Sequence, residues 1–125
     1  MQRFIDNDLT NRLGHLSQQD ADGLPFGVVK VDDSGQILIY NKYESDLAGV
    51  PINNALGKNF FTQVAICTNN RLFYGRFKDG VAKKELDLSF NYVFTYKMKP
   101  TNVTIHLYHH QESSSNWIFV KFKGR

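Results

Sequence analysis

The most regular pattern in this sequence is the alternation of apolar and polar residues over positions 86–98. Every second side chain is apolar, and the positions between them are polar except for Val93. A period of two residues is typical of a β-strand, so we predict one long strand with an aromatic face. That face consists of Leu86, Leu88, Phe90, Tyr92, Phe94, Tyr96 and Met98.

Shorter apolar segments predict four further strands. Residues 26–31 and 36–40 flank a Gly-containing turn and are typical of a β-hairpin. After a predicted turn at residues 99–102, alternation resumes from Val103 and gives the fourth strand in chain order. The last strand covers residues 117–122 and is apolar on both faces, so we expect a cover on each side of the sheet.

Helical spacing predicts a short N-terminal cap and one helix in the middle of the chain. The apolar residues of the cap follow one another at intervals of four, four and three, which places them on one helix face. They are Ile5, Leu9, Leu13 and Leu16. Apolar residues at i, i+4 and i+8 predict a helix over 73–84, whereas residues 41–66 favour short helices and loops.

This order of elements indicates a single α+β domain over residues 1–125. We expect a cap over residues 1–23 and a core over residues 24–125, in which about five antiparallel strands form one sheet. The middle helices would cover one face of that sheet and the cap the other. Residues 113–116 are interpreted as the loop of the last hairpin.

Composition and charge restrict the function classes that this chain can serve. The net charge is +3, but the lysines and arginines are scattered, so no nucleic-acid partner is expected. No apolar segment approaches the ~20 residues that span a bilayer, so no membrane partner is expected either. The single cysteine excludes an internal disulfide and a cysteine-cluster metal site. A lone thiol without a signal-peptide core predicts a cytoplasmic protein.

Three residues have the chemistry for a functional site. Cys67 follows an apolar run and is either a small buried filler or a nucleophile and attachment point, since sulfur forms thioesters. Tyr40 and Glu44 are four residues apart, which directs both side chains to one side. They are either ordinary structural residues or two hydroxyl donors for one anion. Glu44 donates only when it is protonated, which requires burial.

A cysteine hydrolase is the enzymatic alternative. His106, His109 and His110 are candidates for a Cys–His pair with Cys67. No third orienting group is evident, and the last two histidines lie near a predicted loop, where exposure is expected.

The sequence resembles the photoactive yellow protein family over nearly its whole length, most closely from residue 22 to residue 120. Residues 57–61 read Gly-Lys-Asn-Phe-Phe and are followed shortly by Val-Ala-Ile-Cys-Thr at residues 64–68. Upstream lies a Tyr-Asn-x-x-Glu segment that begins at Tyr40. These motifs in this order are highly specific.

The resemblance implies a PAS fold, with a five-stranded antiparallel sheet, helices on one face and an N-terminal cap on the other. It implies that Cys67 carries 4-hydroxycinnamic acid (p-coumaric acid) as a covalent thioester, the chromophore of a blue-light receptor. Tyr40 and a protonated Glu44 would then bind its phenolate. The remaining chromophore-binding positions that the resemblance implies are Phe60, Thr68, Phe94, Tyr96 and Met98.

This chain departs from the family pattern at three positions of the same pocket. Ala48 and Val50 stand where well-known members have a Thr and an Arg, and Ile66 replaces a proline before the cysteine. A hydroxyl that supports the tyrosine and a nearby cation are therefore missing. We expect these changes to affect colour and kinetics but not attachment.

The resemblance further implies a non-enzymatic, reversible light response. Light would isomerise the chromophore from trans to cis, Glu44 would give up its proton, and the buried carboxylate would loosen the cap. We expect a monomer that acts on a downstream signalling protein of unknown identity. The alternative is a PAS sensor or dimerisation module that binds its ligand non-covalently, with Cys67 merely buried.

Overall fold

Five strands and several short helices make up the computed structural model, which describes residues 4–95 and 99–124. The five strands form one antiparallel sheet, as predicted. The helices are α1 Asn7–Arg12, α2 Gln18–Asp22, α3 Lys42–Ala48, α4 Ile52–Ala55 and α5 Arg76–Lys83. The strands are β1 Gly27–Val31, β2 Ile37–Tyr40, β3 Asp87–Phe94, β4 Thr101–His110 and β5 Ser115–Gly124.

The strand order in the sheet is β2-β1-β5-β4-β3, so the last strand of the chain is the central one. Its residues from Trp117 to Val120 are fully buried, because both faces of the sheet are covered. This confirms the expectation from the apolar character of that strand. The edge strands are β2, which ends at Tyr40, and β3, which ends at Phe94.

Two separate apolar clusters lie on the two sides of the sheet. The larger one packs α3 to α5 and their connections against the sheet, and we call this side the helical side. The smaller one packs the N-terminal residues against Trp117 and Phe119, and we call this side the cap side. The two clusters confirm the predicted arrangement of helices and cap.

The N-terminal cap uses the apolar stripe that its spacing predicts. Ile5, Leu9, Leu13 and Leu16 are 3%, 3%, 0% and 6% exposed. The cap is not one helix, because a 3-10 turn at Leu13–His15 follows α1, and α2 begins after a separate capping box. In that box Ser17 and Asp20 exchange side-chain and backbone hydrogen bonds.

The segment between β2 and β3 contains two π-helical turns that the sequence pattern does not predict. They are Phe60–Val64 and Arg71–Gly75, and a 3-10 turn at Ile66–Thr68 lies between them. The side chains of Asn59 and Asn70 cap the two π-helical turns by accepting backbone N–H groups. The helix predicted over 73–84 is confirmed as α5, but it begins later because residues 73–75 belong to the second π-helical turn.

The ends of the predicted strands need three corrections. The long strand is β3 and ends at Phe94, while the predicted residues 96–98 lie outside the described part of the chain. The turn predicted at 99–102 is shorter, since Thr101 already pairs with Phe94. The loop predicted at 113–116 lies at 111–114, because Ser115 pairs with His110 across the last hairpin.

Among the described residues, no helix has both the length and the apolar character needed to cross a membrane.

Candidate functional site

A small cavity lies on the helical side of the sheet, where β2, α3 and the connection before Cys67 meet. Its volume is about 10 Å³, roughly the space of one water molecule. Six of its eight lining residues are predicted site residues. The lining consists of Tyr40, Glu44, Ala48, Val50, Val64, Ala65, Cys67 and Phe94.

Tyr40 brings a buried hydroxyl to this cavity. It is the last residue of β2 and is fully buried, and its Oη has no hydrogen-bond partner. Burial raises the pKa of its phenol far above the usual range, and the nearby carboxyl of Glu44 raises it further. The hydroxyl therefore stays protonated and has a proton to donate.

Glu44 brings a buried carboxyl to the same cavity. It is the third residue of α3, and its backbone N–H donates to Oδ1 of the N-cap residue Asn41 at 3.1 Å. The side chain is 1% exposed, and its Oε1 has no hydrogen-bond partner. Burial raises the pKa of this carboxyl to about 8. At neutral pH Glu44 is therefore a neutral donor.

Gly27 makes room for the Glu44 carboxyl. A Cβ at position 27 would lie 2.5 Å from Oε1 of Glu44 and 3.0 Å from the Cβ of Val120. Both distances are too short for ordinary contacts, so the carboxyl fits against β1 only because residue 27 has no side chain. No periodicity in the sequence indicates this contact.

Asn41 joins the two donor residues to the surrounding chain. Its Oδ1 accepts the backbone N–H of Val28 at 2.9 Å, and its Nδ2 donates to the carbonyl oxygens of Ala21 and Phe26 at 2.8 and 2.9 Å. The residue is fully buried. These contacts fix the junction between β2 and α3, and with it the relative position of Tyr40 and Glu44.

Cys67 lies in the 3-10 turn Ile66–Thr68 and is half-buried. Its carbonyl oxygen accepts from the Tyr92 hydroxyl at 2.5 Å and from Asn70 Nδ2 at 3.2 Å. Asn70 also donates to the Tyr92 hydroxyl at 2.7 Å. Burial is the largest influence on the Tyr92 phenol and raises its pKa. Sequence reasoning missed both partners, because the alternation placed Tyr92 only as a residue of the aromatic face.

Three other predicted chromophore-binding residues fall in the described part of the chain, and none of them is in the cavity lining. Phe60 is fully buried among aromatic rings of the helical side, with its ring centroid 5.2 Å from that of Phe61. Ile66 is 46% exposed. The hydroxyl of Thr68 donates to the carbonyl oxygen of Ala65 at 2.6 Å. Tyr96 and Met98 lie outside the described residues.

The three histidines have partners other than Cys67. His106 Nε2 contacts Asp87 Oδ1 at 2.5 Å, and His109 Nδ1 contacts Asn116 Oδ1 at 2.6 Å. His110 Nδ1 contacts Ser113 Oγ at 2.6 Å. The expected exposure of the last two histidines is wrong, because they are 7% and 8% exposed. Since no histidine lines the described cavity, a Cys–His pair gains no support.

The chemistry of the donor set fits one kind of ligand. Two buried neutral groups with unfilled hydrogen-bonding capacity favour an anionic oxygen, and a thiol at the same cavity favours an acyl carbon. Because the cavity volume is about 10 Å³, the lining has to move outwards to accept an aromatic acyl group. Among the described residues, no group of three or more His, Cys, Asp or Glu side chains is arranged to bind a metal ion.

Comparisons with known proteins agree with this geometry. The family model of the PAS fold matches residues 15–122. The chain is 45% identical over 118 residues to the photoactive yellow protein of Halochromatium salexigens, covering 94% of both chains. It is 40% identical over 121 residues to that of Rhodothalassium salexigens, covering 97% of both.

A solved structure gives the same result. The photoactive yellow protein domain of the sensor histidine kinase Ppr from Rhodospirillum centenum superimposes with a TM-score of 0.83 and 40% sequence identity. The match covers 90% of this chain and 98% of that domain.

Proposed function

Because the chain belongs to the photoactive yellow protein family, a family of blue-light photoreceptors built on the PAS fold, we propose that it carries a 4-hydroxycinnamoyl chromophore as a thioester on Cys67. One observation carries this proposal. Two buried polar atoms without partners, Tyr40 Oη and Glu44 Oε1, belong to residues that line one cavity with Cys67. Unpaired buried polar groups are costly, so their presence together favours a polar ligand atom at that place.

Attachment needs an activated acyl donor, such as an acyl thioester or anhydride. The Cys67 sulfur forms a new bond to the acyl carbon, the bond between that carbon and its leaving group breaks, and the thiol proton goes to the leaving group or solvent. Tyr92 and Asn70 hold the carbonyl of Cys67 during this step, which limits the directions in which the thiol can point.

Tyr40 and Glu44 would hold the oxygen end of the bound group. Both are protonated at neutral pH because burial raises their pKa values. Each therefore donates one hydrogen bond, and charge-assisted bonds to an anionic oxygen are about twice as strong as neutral ones. When bound, the chromophore supplies absorption of blue light and a double bond that isomerises from trans to cis.

Glu44 is the residue whose proton couples the pocket to the rest of the domain. In the dark it holds a proton on a fully buried carboxyl. Loss of that proton leaves an unpaired buried carboxylate, which is strongly unfavourable. The domain relieves this charge by admitting water, and the N-terminal cap is the element we expect to loosen. A downstream signalling protein would read this change, and we expect no turnover of a substrate.

The test is an absorption spectrum of the purified protein after reconstitution with activated 4-hydroxycinnamate, before and after a blue flash. We expect a blue-absorbing band that bleaches and recovers, together with a mass increase of one hydroxycinnamoyl group that survives denaturation. The matched control is Cys67→Ala, which should show neither. Wild-type protein without an adduct would contradict the proposal and leave a PAS module that binds its ligand non-covalently.

A further inference from the structure

The N-terminal cap is bonded to the pocket by a polar side chain as well as by its apolar stripe. Nε2 of Gln18, the first residue of α2, donates to the carbonyl oxygen of Tyr40 at 2.8 Å. The backbone N–H of Tyr40 donates to Oε1 of Gln18 at 3.1 Å. The amide of one side chain therefore pairs with both main-chain groups of Tyr40, as a neighbouring strand would.

A second residue of α2 strengthens this attachment. Asp22 Oδ1 accepts the backbone N–H of Lys42 at 2.8 Å and Nε2 of Gln18 at 3.0 Å. Between these two contacts, Asn41 donates to the carbonyl oxygen of Ala21. Three consecutive residues of the β2–α3 junction are thus bonded to α2.

The position of Tyr40 in the sheet explains why this attachment matters. Strand β2 is an edge strand, and Tyr40 is its last residue. No strand of the described chain pairs with the outer side of Tyr40, so Gln18 supplies the pairing that would otherwise come from one. A small rotation of this peptide would move the hydroxyl, which lies at the far end of a long rigid side chain.

We infer that Gln18 is a positioning residue for the pocket, which fixes the peptide of Tyr40 and thereby the direction of its hydroxyl while α2 is docked. The inference rests on the proposed function, because it concerns the hydroxyl that holds the oxygen end of the chromophore. It assigns a specific role to one cap residue that does not itself line the cavity.

The first arm of the test uses the protein without chromophore. Gln18→Met keeps the length and helix propensity of the side chain but removes both hydrogen bonds. We expect the backbone amide of Tyr40 to exchange with solvent roughly tenfold faster, and the ring NMR signals of Tyr40 to shift. The matched control is Gln19→Met in the same helix, since Gln19 is exposed and should leave both readouts unchanged. Gln18→Asn, which is too short to reach Tyr40, should behave as Gln18→Met.

The second arm uses the reconstituted protein. The chromophore phenol should absorb blue light when ionised and ultraviolet light when protonated. We expect the pH midpoint between these two forms to rise by about half a unit or more in Gln18→Met, because a misdirected Tyr40 hydroxyl is a weaker donor to the phenolate. A purely structural contact would lower stability without moving this midpoint.

The outcomes separate this inference from the proposed function. Wild-type exchange of the Tyr40 amide in Gln18→Met, an unchanged midpoint, or equal effects of Gln18→Met and Gln19→Met would each overturn the role of Gln18. Failure of the wild type to take up the chromophore would overturn the proposed function, and the amide exchange and ring signals of Tyr40 would then decide the role of Gln18.

Discussion

The two sides of the sheet differ in the hydrogen bonding of the buried polar groups beside their apolar clusters. Beside the cap cluster, Trp117 Nε1 donates to Ser115 Oγ at 2.8 Å, and Ser115 Oγ contacts Ser113 Oγ at 2.6 Å. On the helical side, Tyr40 Oη and Glu44 Oε1 are buried without partners. The polar groups named for the cap side are satisfied within the chain, whereas the helical side carries hydrogen-bonding capacity that the chain does not use.

This difference separates the tasks of the two sides. The cap side combines an apolar stripe with polar groups that are bonded within the chain, so the groups named for it do not call for a ligand. The helical side carries two donors, Tyr40 and Glu44, whose pKa values are raised by burial. The stability of the fold therefore depends on whether these groups hold their protons. Substitutions should therefore act through protonation on the helical side and through packing on the cap side.

Glu44→Gln should remove a large pH dependence of stability from the protein without chromophore. Burial raises the pKa of Glu44 to about 8 in the folded state, from its ordinary value of 4.5 in the unfolded chain. The folded state therefore binds more protons between these values. Its stabilisation is fully present below about pH 4.5 and is lost as pH rises to about 8. Each pH unit removes about 1.4 kcal/mol, on the order of 4 kcal/mol from pH 5 to 8.

Urea unfolding of both proteins at pH 5, 6, 7 and 8 measures this difference. The free energy of unfolding should fall with pH in the wild type relative to Glu44→Gln. Because the histidines are common to both proteins, their titration cancels in the comparison. Parallel pH profiles would contradict the neutral, buried Glu44 and the division between the two sides.

Leu13→Ala tests the apolar packing of the cap side. Leu13 is fully buried in the cap cluster, so truncation should lower the free energy of unfolding by roughly 2–5 kcal/mol. The control is Leu38→Ala, which is 50% exposed and should change stability by less than about 0.5 kcal/mol. Equal effects of the two substitutions, measured by urea unfolding, would show that the cap contributes little packing energy.

Tyr92→Phe tests the support of the attachment site on the helical side. The variant loses the hydroxyl that donates to the Cys67 carbonyl, at a cost of about 1 kcal/mol. The loosened turn should let a thiol reagent alkylate Cys67 a few times faster. Tyr43→Phe removes a hydroxyl that contacts the backbone N–H of Phe122 and serves as the control. An unchanged alkylation rate in Tyr92→Phe would show that Tyr92 does not restrain the turn that carries Cys67.

Ala48→Thr should have the smallest effect. It tests the equilibrium between the protonated and the ionised chromophore in the reconstituted protein. Ala48 lines the cavity with Tyr40 and Glu44. Without a hydroxyl at this position, we expect the wild type to show an ultraviolet-absorbing population between pH 6 and 8. Ala48→Thr should reduce that population by supporting the Tyr40 hydroxyl. A single blue band in the wild type, constant from pH 6 to 8, would contradict this hypothesis.

Local periodicity predicted the elements in which the spacing of apolar residues along the chain decides which side chains are buried. The stripe of Ile5, Leu9, Leu13 and Leu16 is buried, and the alternation that runs through Phe94 gives an edge strand. A period of two or of three to four residues states directly which side chains face a core. The same information placed Tyr40 at the end of a strand.

Features that depend on distant partners were not predictable in this way. His109 is buried beside Asn116, which the register of β4 and β5 brings opposite it as a hydrogen-bond partner. The π-helical turns depend on the asparagine side chains that cap them, and a pattern of apolar residues contains no such information. For the candidate site, the resemblance supplied residues that line the cavity, while Gln18 and Tyr92 became visible only through their contacts with the backbone of site residues.

The missing side chain at Gly27 ties the identity of two positions together. The Glu44 carboxyl occupies the space that a methyl group at position 27 would need, so the two residues share one fixed volume. Shortening residue 44 to Asp would relieve only part of the crowding for Ala at 27, because the Cβ of Val120 would still lie 3.0 Å away. The position of the buried acid therefore depends on a strand residue that carries no chemistry of its own.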